Sequence, residues 1–94
     1  MQIIRDTKYL AKLQNIMEFI AEDSTIRALE FQLNLDKKIN SLHNMPFIFR
    51  KSIYFDDENI RDLVFKGYVI PYKIDKINNM ITIIGRNKYQ LELF

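Results

Sequence analysis

The sequence predicts an α+β domain, in which a two-helix antiparallel hairpin packs on a small antiparallel sheet of three or more strands after a short N-terminal strand. In the first half, apolar residues recur at intervals of three and four, which is the spacing of one helix face. In the second half they recur at every second residue, the spacing of one strand face. With 94 residues, 48% of them hydrophobic, we expect a single domain over residues 1–94.

The first two elements follow from local patterns. Gln2-Ile3-Ile4 predicts a short strand at a sheet edge. A helix is expected from Lys8 to Glu22, and Asp6 or Thr7 can cap it because either side chain can accept a hydrogen bond from a free backbone N–H. The apolar stripe of this helix comprises Leu10, Leu13, Met17 and Ile20, widened by Tyr9, Ile16 and Phe19.

A second helix is predicted after Asp23-Ser24, which breaks the first pattern and offers a new N-cap. It runs to about His43, since Met45-Pro46 opposes continuation: the residue before a proline avoids the helical region. So short a connection favours antiparallel neighbours. The predicted apolar stripe comprises Ala28, Phe31, Leu35, Ile39 and Leu42, broadened by Leu29 and Leu33.

Three antiparallel strands are predicted after a linking stretch at residues 45–59. They are Ile60–Phe65, Tyr68–Ile74 and Met80–Ile84, with turns at Lys66-Gly67 and at residues 75–79. In the middle strand, alternate residues from Tyr68 are aromatic or apolar, which favours a core face over a base-stacking platform. Pro71 cannot donate a ladder hydrogen bond. We therefore expect either a bulge there or a position whose N–H would face away from a partner.

Composition excludes several classes of site. Without cysteine there is no disulfide, thiolate zinc site or cysteine nucleophile. The two glycines cannot form a phosphate-binding loop, so no cofactor is expected. The one histidine, His43, is interpreted as a surface residue at a helix end, and the acidic triplet 56–58 as a solvated loop and not a metal site. No apolar run approaches the roughly 20 residues that span a bilayer, so we expect a cytoplasmic protein without a membrane partner.

Charge points to the second half of the chain. The 14 basic and 12 acidic residues give a net charge of +2, too weak a field for nucleic-acid binding by bulk electrostatics. The excess lies in residues 48–94. Arginine and lysine can bind phosphate or an acidic target directly, although sheets also carry them on solvated faces. The candidate target-binding or phosphate-binding residues are Arg50, Lys51, Arg61, Lys66 and Arg86.

The sequence resembles the ParE/RelE superfamily of bacterial type II toxins from about Ile4 to Lys88. The likeness includes Phe19-Ile20-Ala21 and Asp23-Ser24 at the helix junction, then Met45-Pro46 with Phe49-Arg50. In the second helix it includes Ala28, Phe31, Ile39 and Leu42. It is most specific in two successive strands, Ile60-Arg61-Asp62-Leu63-Val64 and Gly67-Tyr68-Val69-Ile70-Pro71-Tyr72-Lys73-Ile74. The family fold, two helices against a small antiparallel sheet, agrees with the periodicity.

The resemblance implies one of two targets, because one branch of the superfamily cleaves mRNA in the ribosome and the other poisons DNA gyrase. In the first case the chain is an endoribonuclease, and its candidate catalytic residues are Arg86, Lys88 and Tyr89. That branch uses basic residues in the strand before the glycine-tyrosine pair and directly after that pair. Here those places hold Ile60, Asp62 and Val69, with Arg61 between the first two.

The gyrase-directed branch is favoured by elimination, and a toxin of that branch is not an enzyme. The resemblance gives Arg61 a structural role in the sheet. It also implies a cognate antitoxin whose partly disordered tail folds over the helices or adds to a sheet edge, and contact with operator DNA only through that antitoxin. The alternatives are the ribosome with its mRNA as target, or a non-toxic homologue that only binds the antitoxin.

Overall fold

Two helices and a four-stranded sheet make up residues 1–85, the part of the chain that this computed structural model describes. This arrangement confirms the predicted α+β class. A 3₁₀ turn at Ser41–His43 follows the second helix. The elements are β1 (Gln2–Arg5), α1 (Thr7–Asp23), α2 (Thr25–Asn40), β2 (Ile60–Phe65), β3 (Tyr68–Asp75) and β4 (Met80–Ile83).

The sheet has the strand order β1-β4-β3-β2, so β1 lies at an edge as predicted. β2, β3 and β4 pair antiparallel through two turns, again as predicted. β1 pairs with β4 in the parallel direction, with Ile3 opposite Ile81, so that the complete sheet is mixed. A parallel pair needs a long connection. Here both helices and two strands lie between its members in the chain.

Side-chain caps position the helical hairpin. The Asp6 carboxylate accepts a hydrogen bond from the Lys8 N–H at 2.9 Å and begins α1. The Ser24 hydroxyl accepts one from the Arg27 N–H at 3.2 Å and begins α2. Because Ser24 alone separates the helices, the chain reverses within one residue. Of the two predicted candidates for the first cap, Asp6 and not Thr7 caps α1, and within Asp23-Ser24 it is Ser24 that caps α2.

The two hairpin turns of the sheet use backbone conformations with positive φ. Lys66 and Gly67 have φ of 48° and 83°, as a type I′ turn requires at both central positions. In the second turn Asn79 has φ of 54°. The Asp75 carboxylate accepts hydrogen bonds from the side chain and the backbone N–H of Asn78, and these bonds lower the pKa of Asp75. Both turns lie where the sequence placed them.

Pro71 fits into the sheet without a bulge. The β2–β3 register is continuous through the pair Asp62–Pro71. The Asp62 N–H points away from β3 and donates to the Arg50 carbonyl at 3.1 Å, so this pair exchanges no ladder bond. On the other side, Pro71 lies beyond the last paired residue of β4 and accepts from the Ile84 N–H at 3.0 Å. The bulge expected as one alternative is therefore absent: β2 needs no donor from Pro71, and on the side of Ile84 the proline contributes its carbonyl alone.

The core lies between the hairpin and one face of the sheet. The main predicted stripe of the second helix is buried and the predicted core face of β3 packs there, whereas Leu29 and Leu33, which were expected to broaden the stripe, are exposed. On the first helix the inward residues are Tyr9 and Leu13, whereas Leu10 and Phe19 point outward. The buried core cluster comprises Tyr9, Leu13, Phe31, Leu35, Ile39, Leu42, Leu63, Phe65, Ile70, Tyr72, Ile74, Ile81 and Ile83.

Gly85 permits a close approach between the end of the sheet and α1. A Cβ at this position would lie 2.6 Å from the Lys8 carbonyl carbon and the Tyr9 nitrogen, both backbone atoms that cannot move aside cheaply. The glycine therefore allows the chain leaving β4 to pass directly against the first turn of the hairpin. Among residues 1–85, no helix is long and apolar enough to cross a membrane.

Candidate functional site

An apolar groove of about 540 Å³ runs between α1 and α2, on a surface that the sheet does not cover. Its floor includes the buried residues Leu13 and Ala28, and its walls include the exposed residues Leu10 and Leu29. We call it the hairpin groove. Its lining is Leu10, Leu13, Gln14, Met17, Glu18, Ala21, Thr25, Ala28, Leu29 and Gln32.

A second region of interest is the outer edge of β2, along which the linker between Asn44 and Asn59 lies. The Ser52 N–H donates to the Ile60 carbonyl at 2.7 Å, and Lys51 forms an isolated antiparallel bridge with Arg61. The linker thus adds a short strand-like segment next to β2. Three predicted target-binding residues, Arg50, Lys51 and Arg61, come together at this edge.

Asp62 holds this segment through a fully buried carboxylate. Its Oδ2 accepts a hydrogen bond from the Ile53 N–H at 3.2 Å and lies 3.5 Å from Nη2 of Arg50. No hydrogen bond from residues 1–85 reaches Oδ1. The Arg50 side chain is about half exposed, so it compensates the buried negative charge from the surface. Arg50 is therefore engaged within the protein.

Arg61 ties the linker to the start of β2. Its Nε donates to the Glu58 carbonyl at 3.2 Å and its Nη1 to the Phe49 carbonyl at 3.3 Å. Its guanidinium carbon lies 4.8 Å from the centre of the Phe47 ring, within the range of a cation–π contact. These contacts are of the structural kind that the resemblance implied for Arg61.

The other basic candidates do not converge on the same point. Lys51 pairs with the exposed carboxylates of Asp56 and Glu58, each at 3.7 Å. Lys66 lies in the β2–β3 turn with its ammonium 5.6 Å from the Phe65 ring centre. At roughly 3.4 Å per residue, the length of β2 separates Lys66 from the edge cluster. Arg86, Lys88 and Tyr89 lie outside the described residues.

Other polar candidates are accounted for by local contacts. His43 is exposed at the end of the 3₁₀ turn, with Nδ1 2.6 Å from the Asn40 carbonyl oxygen. Within the acidic triplet, Asp57 accepts from the Asn59 N–H at 2.8 Å and pairs with Lys73 at 3.9 Å. Across residues 1–85, no three histidine, cysteine or carboxylate groups are arranged to hold a metal ion.

Two core tyrosines have strongly shifted pKa values. Burial raises the pKa of Tyr9 to about 12, with a further increase from the Asp36 carboxylate and an opposing effect of Arg5. Burial likewise raises the pKa of Tyr72 to about 12, opposed by a backbone hydrogen bond at Phe49 and by the positive charge of Arg61. The Tyr72 hydroxyl also donates to the Pro46 carbonyl at 2.6 Å. Both tyrosines are structural groups that stay protonated near neutral pH.

The sequence interpretation missed two residues at the end of the sheet where β2 starts. Phe47 and Lys76 were not among the candidates, yet the Lys76 ammonium lies 4.8 Å from the Phe47 ring centre, as close as the Arg61 guanidinium carbon. The two residues are far apart in sequence, one in the linker and one in the β3–β4 turn. No local pattern connects them, so only the folded chain could reveal the contact.

Between residues 1 and 85 the molecule offers an apolar groove and a charged sheet edge, and the basic candidates there are held by internal contacts. The family description "ParE toxin of type II toxin-antitoxin system, parDE" matches residues 3–86, and the chain belongs to that family. It is therefore a toxin of a type II toxin–antitoxin system, for which the family implies an antitoxin partner. A comparison with curated proteins gives no match.

Proposed function

We propose that this toxin acts in the cytoplasm by binding and poisoning DNA gyrase, without bond chemistry of its own, and that a cognate antitoxin neutralises it. The observation that carries the proposal is the buried carboxylate of Asp62. It lies in the strand where the mRNA-cleaving branch of the resemblance requires basic residues. A buried carboxylate there supplies none of the positive charge that stabilises a scissile phosphate.

The neighbouring positions support the same interpretation. Ile60 is buried, and Val69, which follows the glycine-tyrosine pair, is apolar where that branch carries a basic residue. Arg61 lies between Ile60 and Asp62, but two of its nitrogens donate to linker carbonyls. A charge-stabilising site needs donors aimed at the reacting phosphate. In the described part of this strand the Asp62 carboxylate and the Nε and Nη1 donors of Arg61 stabilise the linker.

The antitoxin is proposed to bind in the hairpin groove. An amphipathic helix that lays its apolar face into a groove uses anchors spaced by three or four residues. Leu10 and Leu29 on the groove walls would contact such anchors, and Leu13 and Ala28 would form the floor. We further propose that operator DNA is reached only through the antitoxin, since a net charge of +2 is a weak field for direct binding.

A gyrase assay tests the target. Purified toxin is expected to block supercoiling by gyrase and to trap cleaved DNA, and addition of the antitoxin in equal amount should restore supercoiling. Expression in cells should cause filamentation and DNA-damage signalling. A toxin that leaves supercoiling intact at large excess would contradict the proposal.

The same preparation can be tested against the two alternatives. A ribosome-dependent endoribonuclease would cleave message on translating ribosomes, and Arg86→Ala would abolish the cleavage. A non-toxic homologue would bind the antitoxin tightly without arresting growth on expression. Intact message together with trapped gyrase–DNA complexes is the combination that we expect.

A further inference from the structure

A second mixed surface, apart from the hairpin groove, lies where the linker meets the start of β2 and the β3–β4 turn. We call it the Phe47 patch. Its members come from three separate stretches of the chain, and none of them lines the groove. They are Met45, Phe47, Ile48, Arg61, Lys76 and Ile77.

Two positive charges share one aromatic ring in this patch. The Arg61 guanidinium carbon and the Lys76 ammonium nitrogen each lie 4.8 Å from the centre of the Phe47 ring. The ion pairs of the surrounding residues are those of Arg50, Lys51 and Lys73 with Asp56, Asp57, Glu58 and Asp62. Arg61 and Lys76 take part in none of them. Within residues 1–85, these two cations hold their positive charge without a carboxylate to compensate it.

Arg61 also keeps donor capacity. A guanidinium has five N–H donors. Nε and Nη1 donate to linker carbonyls, whereas Nη2 has no partner among the described residues. The carbonyl bonds fix the guanidinium in place, so a carboxylate that bound to Nη2 would meet an already oriented group. Preorganisation of this kind lowers the entropic cost of binding.

Apolar side chains close in sequence to Phe47 and Lys76 remain uncovered. Ile77 is 95% exposed, and Met45 and Ile48 are each more than half exposed. Phenylalanine, methionine and arginine are enriched in protein–protein interfaces. A nucleic acid would offer phosphates to the cations but would leave these apolar groups without matching contacts. The patch therefore fits a protein segment that carries both acidic and apolar side chains.

We propose that the Phe47 patch binds an acidic segment of the antitoxin, with a carboxylate placed against Arg61 and Lys76 and apolar neighbours on Ile48 and Ile77. This inference rests on the antitoxin partner in the proposed function and does not depend on gyrase as the target. The antitoxin then contacts the toxin at two places, an apolar one in the hairpin groove and a charged one here. The charged contact selects for an acidic segment.

The test compares two lysine variants that change charge equally. Lys76→Glu is expected to lower affinity for the cognate antitoxin about tenfold, because close charge pairs contribute strongly to such interfaces. Lys8→Glu is the matched control, since Lys8 is also exposed but lies at the start of α1, next to Gly85. It should change the affinity less than about twofold. Titration calorimetry of purified toxin with antitoxin measures both.

Salt and an apolar variant sharpen the result. Raising ionic strength should weaken the wild-type complex more than the Lys76→Glu complex, because exposed charge pairs are screened by salt. Ile77→Ser removes an almost fully exposed side chain without disturbing the fold, and we expect about a threefold loss of affinity. Circular dichroism melting checks that each variant is folded.

Three results would overturn the proposal. Equal antitoxin affinities for Lys76→Glu and Lys8→Glu would show that the patch takes no part in the complex. Loss of gyrase inhibition by Lys76→Glu with antitoxin affinity retained would make it a target surface. Loss of binding to a double-stranded DNA oligonucleotide, again with antitoxin affinity retained, would make it a nucleic-acid surface. A wild-type toxin inactive on gyrase refutes the proposed target while the antitoxin titration still decides the patch.

Discussion

The two sides of the helical hairpin have similar side chains but different neighbours. On the inner side, Phe31, Leu35 and Ile39 are at most 5% exposed because the sheet covers them. On the outer side, Leu29 and Leu33 remain 52% and 61% exposed. All five residues belong to α2. The difference lies in what packs against each side of the helix and not in hydrophobicity.

This difference separates residues that hold the fold together from residues available for recognition. An apolar side chain stabilises the folded chain in proportion to the area that folding removes from water. The outer leucines gain little of that area within the monomer. Contiguous exposed apolar surface on a small protein commonly marks an interaction site. In a toxin whose family implies an antitoxin, we interpret the groove-lining part of the outer side, which includes Leu29, as the surface kept for that partner.

The largest expected effect comes from deleting an inner leucine. Leu35→Ala should lower the free energy of unfolding by about 3 kcal/mol, because it removes buried methyl groups and leaves a cavity against the sheet. Leu33→Ala makes the same chemical change two residues earlier in the helix, at an exposed position. It should cost less than about 0.5 kcal/mol. Urea unfolding followed by circular dichroism measures both. Equal losses would contradict the assignment of inner and outer sides.

The next largest expected effect is a loss of folding stability at alkaline pH, caused by two tyrosines buried in the core. Tyr9 and Tyr72 have folded-state pKa values of about 12, above the ordinary tyrosine value of 10. Unfolded tyrosines therefore lose their protons first, so stability is complete below pH 10 and is lost as pH rises towards 12. Linkage gives a loss of about 1 kcal/mol per tyrosine between pH 10 and 11, and about 2 kcal/mol for the pair.

Phenylalanine variants provide the control for the pH effect. Tyr9→Phe and Tyr72→Phe each remove one ionisable group, so each should reduce the fall in stability between pH 10 and 11 by about half. Tyr72→Phe also removes the hydrogen bond to the Pro46 carbonyl and should cost about 1 kcal/mol at neutral pH. An unchanged pH slope in both variants would show that other groups cause the alkaline unfolding.

The parts of the fold that sequence predicted are those with local chemical causes. Ser24 can accept a hydrogen bond from the helix it precedes, and Gly67 tolerates positive φ, so the hairpin and the first sheet turn were predictable. The partner of β1 was not. Gln2 pairs with Met80 across nearly the whole chain, and no short-range pattern specifies such a contact. The direction of Leu10 was misjudged because a broad apolar stripe does not say which part faces the sheet.

For the candidate site, residue types were predictable and their partners were not. Arginine and lysine in the second half identified Arg50 and Arg61 as interesting positions. Their contacts depend on the path of the linker between residues 44 and 59, which has no helix or strand period. Arg50 forms an ion pair with the buried Asp62 carboxylate. Arg61 and Lys76 lie near each other because both contact the Phe47 ring. Both relations appear only when the linker lies against β2.

The smallest effect on folding, and the most informative for function, comes from the wall of the hairpin groove. Leu29→Ala trims an exposed leucine that lines the groove. The free energy of unfolding of this variant should differ from that of the wild type by less than about 0.5 kcal/mol, since the Leu29 side chain is half exposed in the monomer. If an antitoxin helix packs there, affinity for the antitoxin should fall about tenfold, or about 1.4 kcal/mol, because the contact buries Leu29 only in the complex.

Leu33→Ala again provides the matched control. Leu33 lies about one helical turn further along α2, is slightly more exposed than Leu29, and does not line the groove. Its replacement should leave antitoxin affinity within about twofold of the wild type. Titration calorimetry on the two variants then compares two leucines of similar exposure in the free toxin, of which only Leu29 lines the groove. Equal affinities would place the antitoxin elsewhere on the toxin, whereas a selective loss for Leu29→Ala would identify the groove as its binding surface.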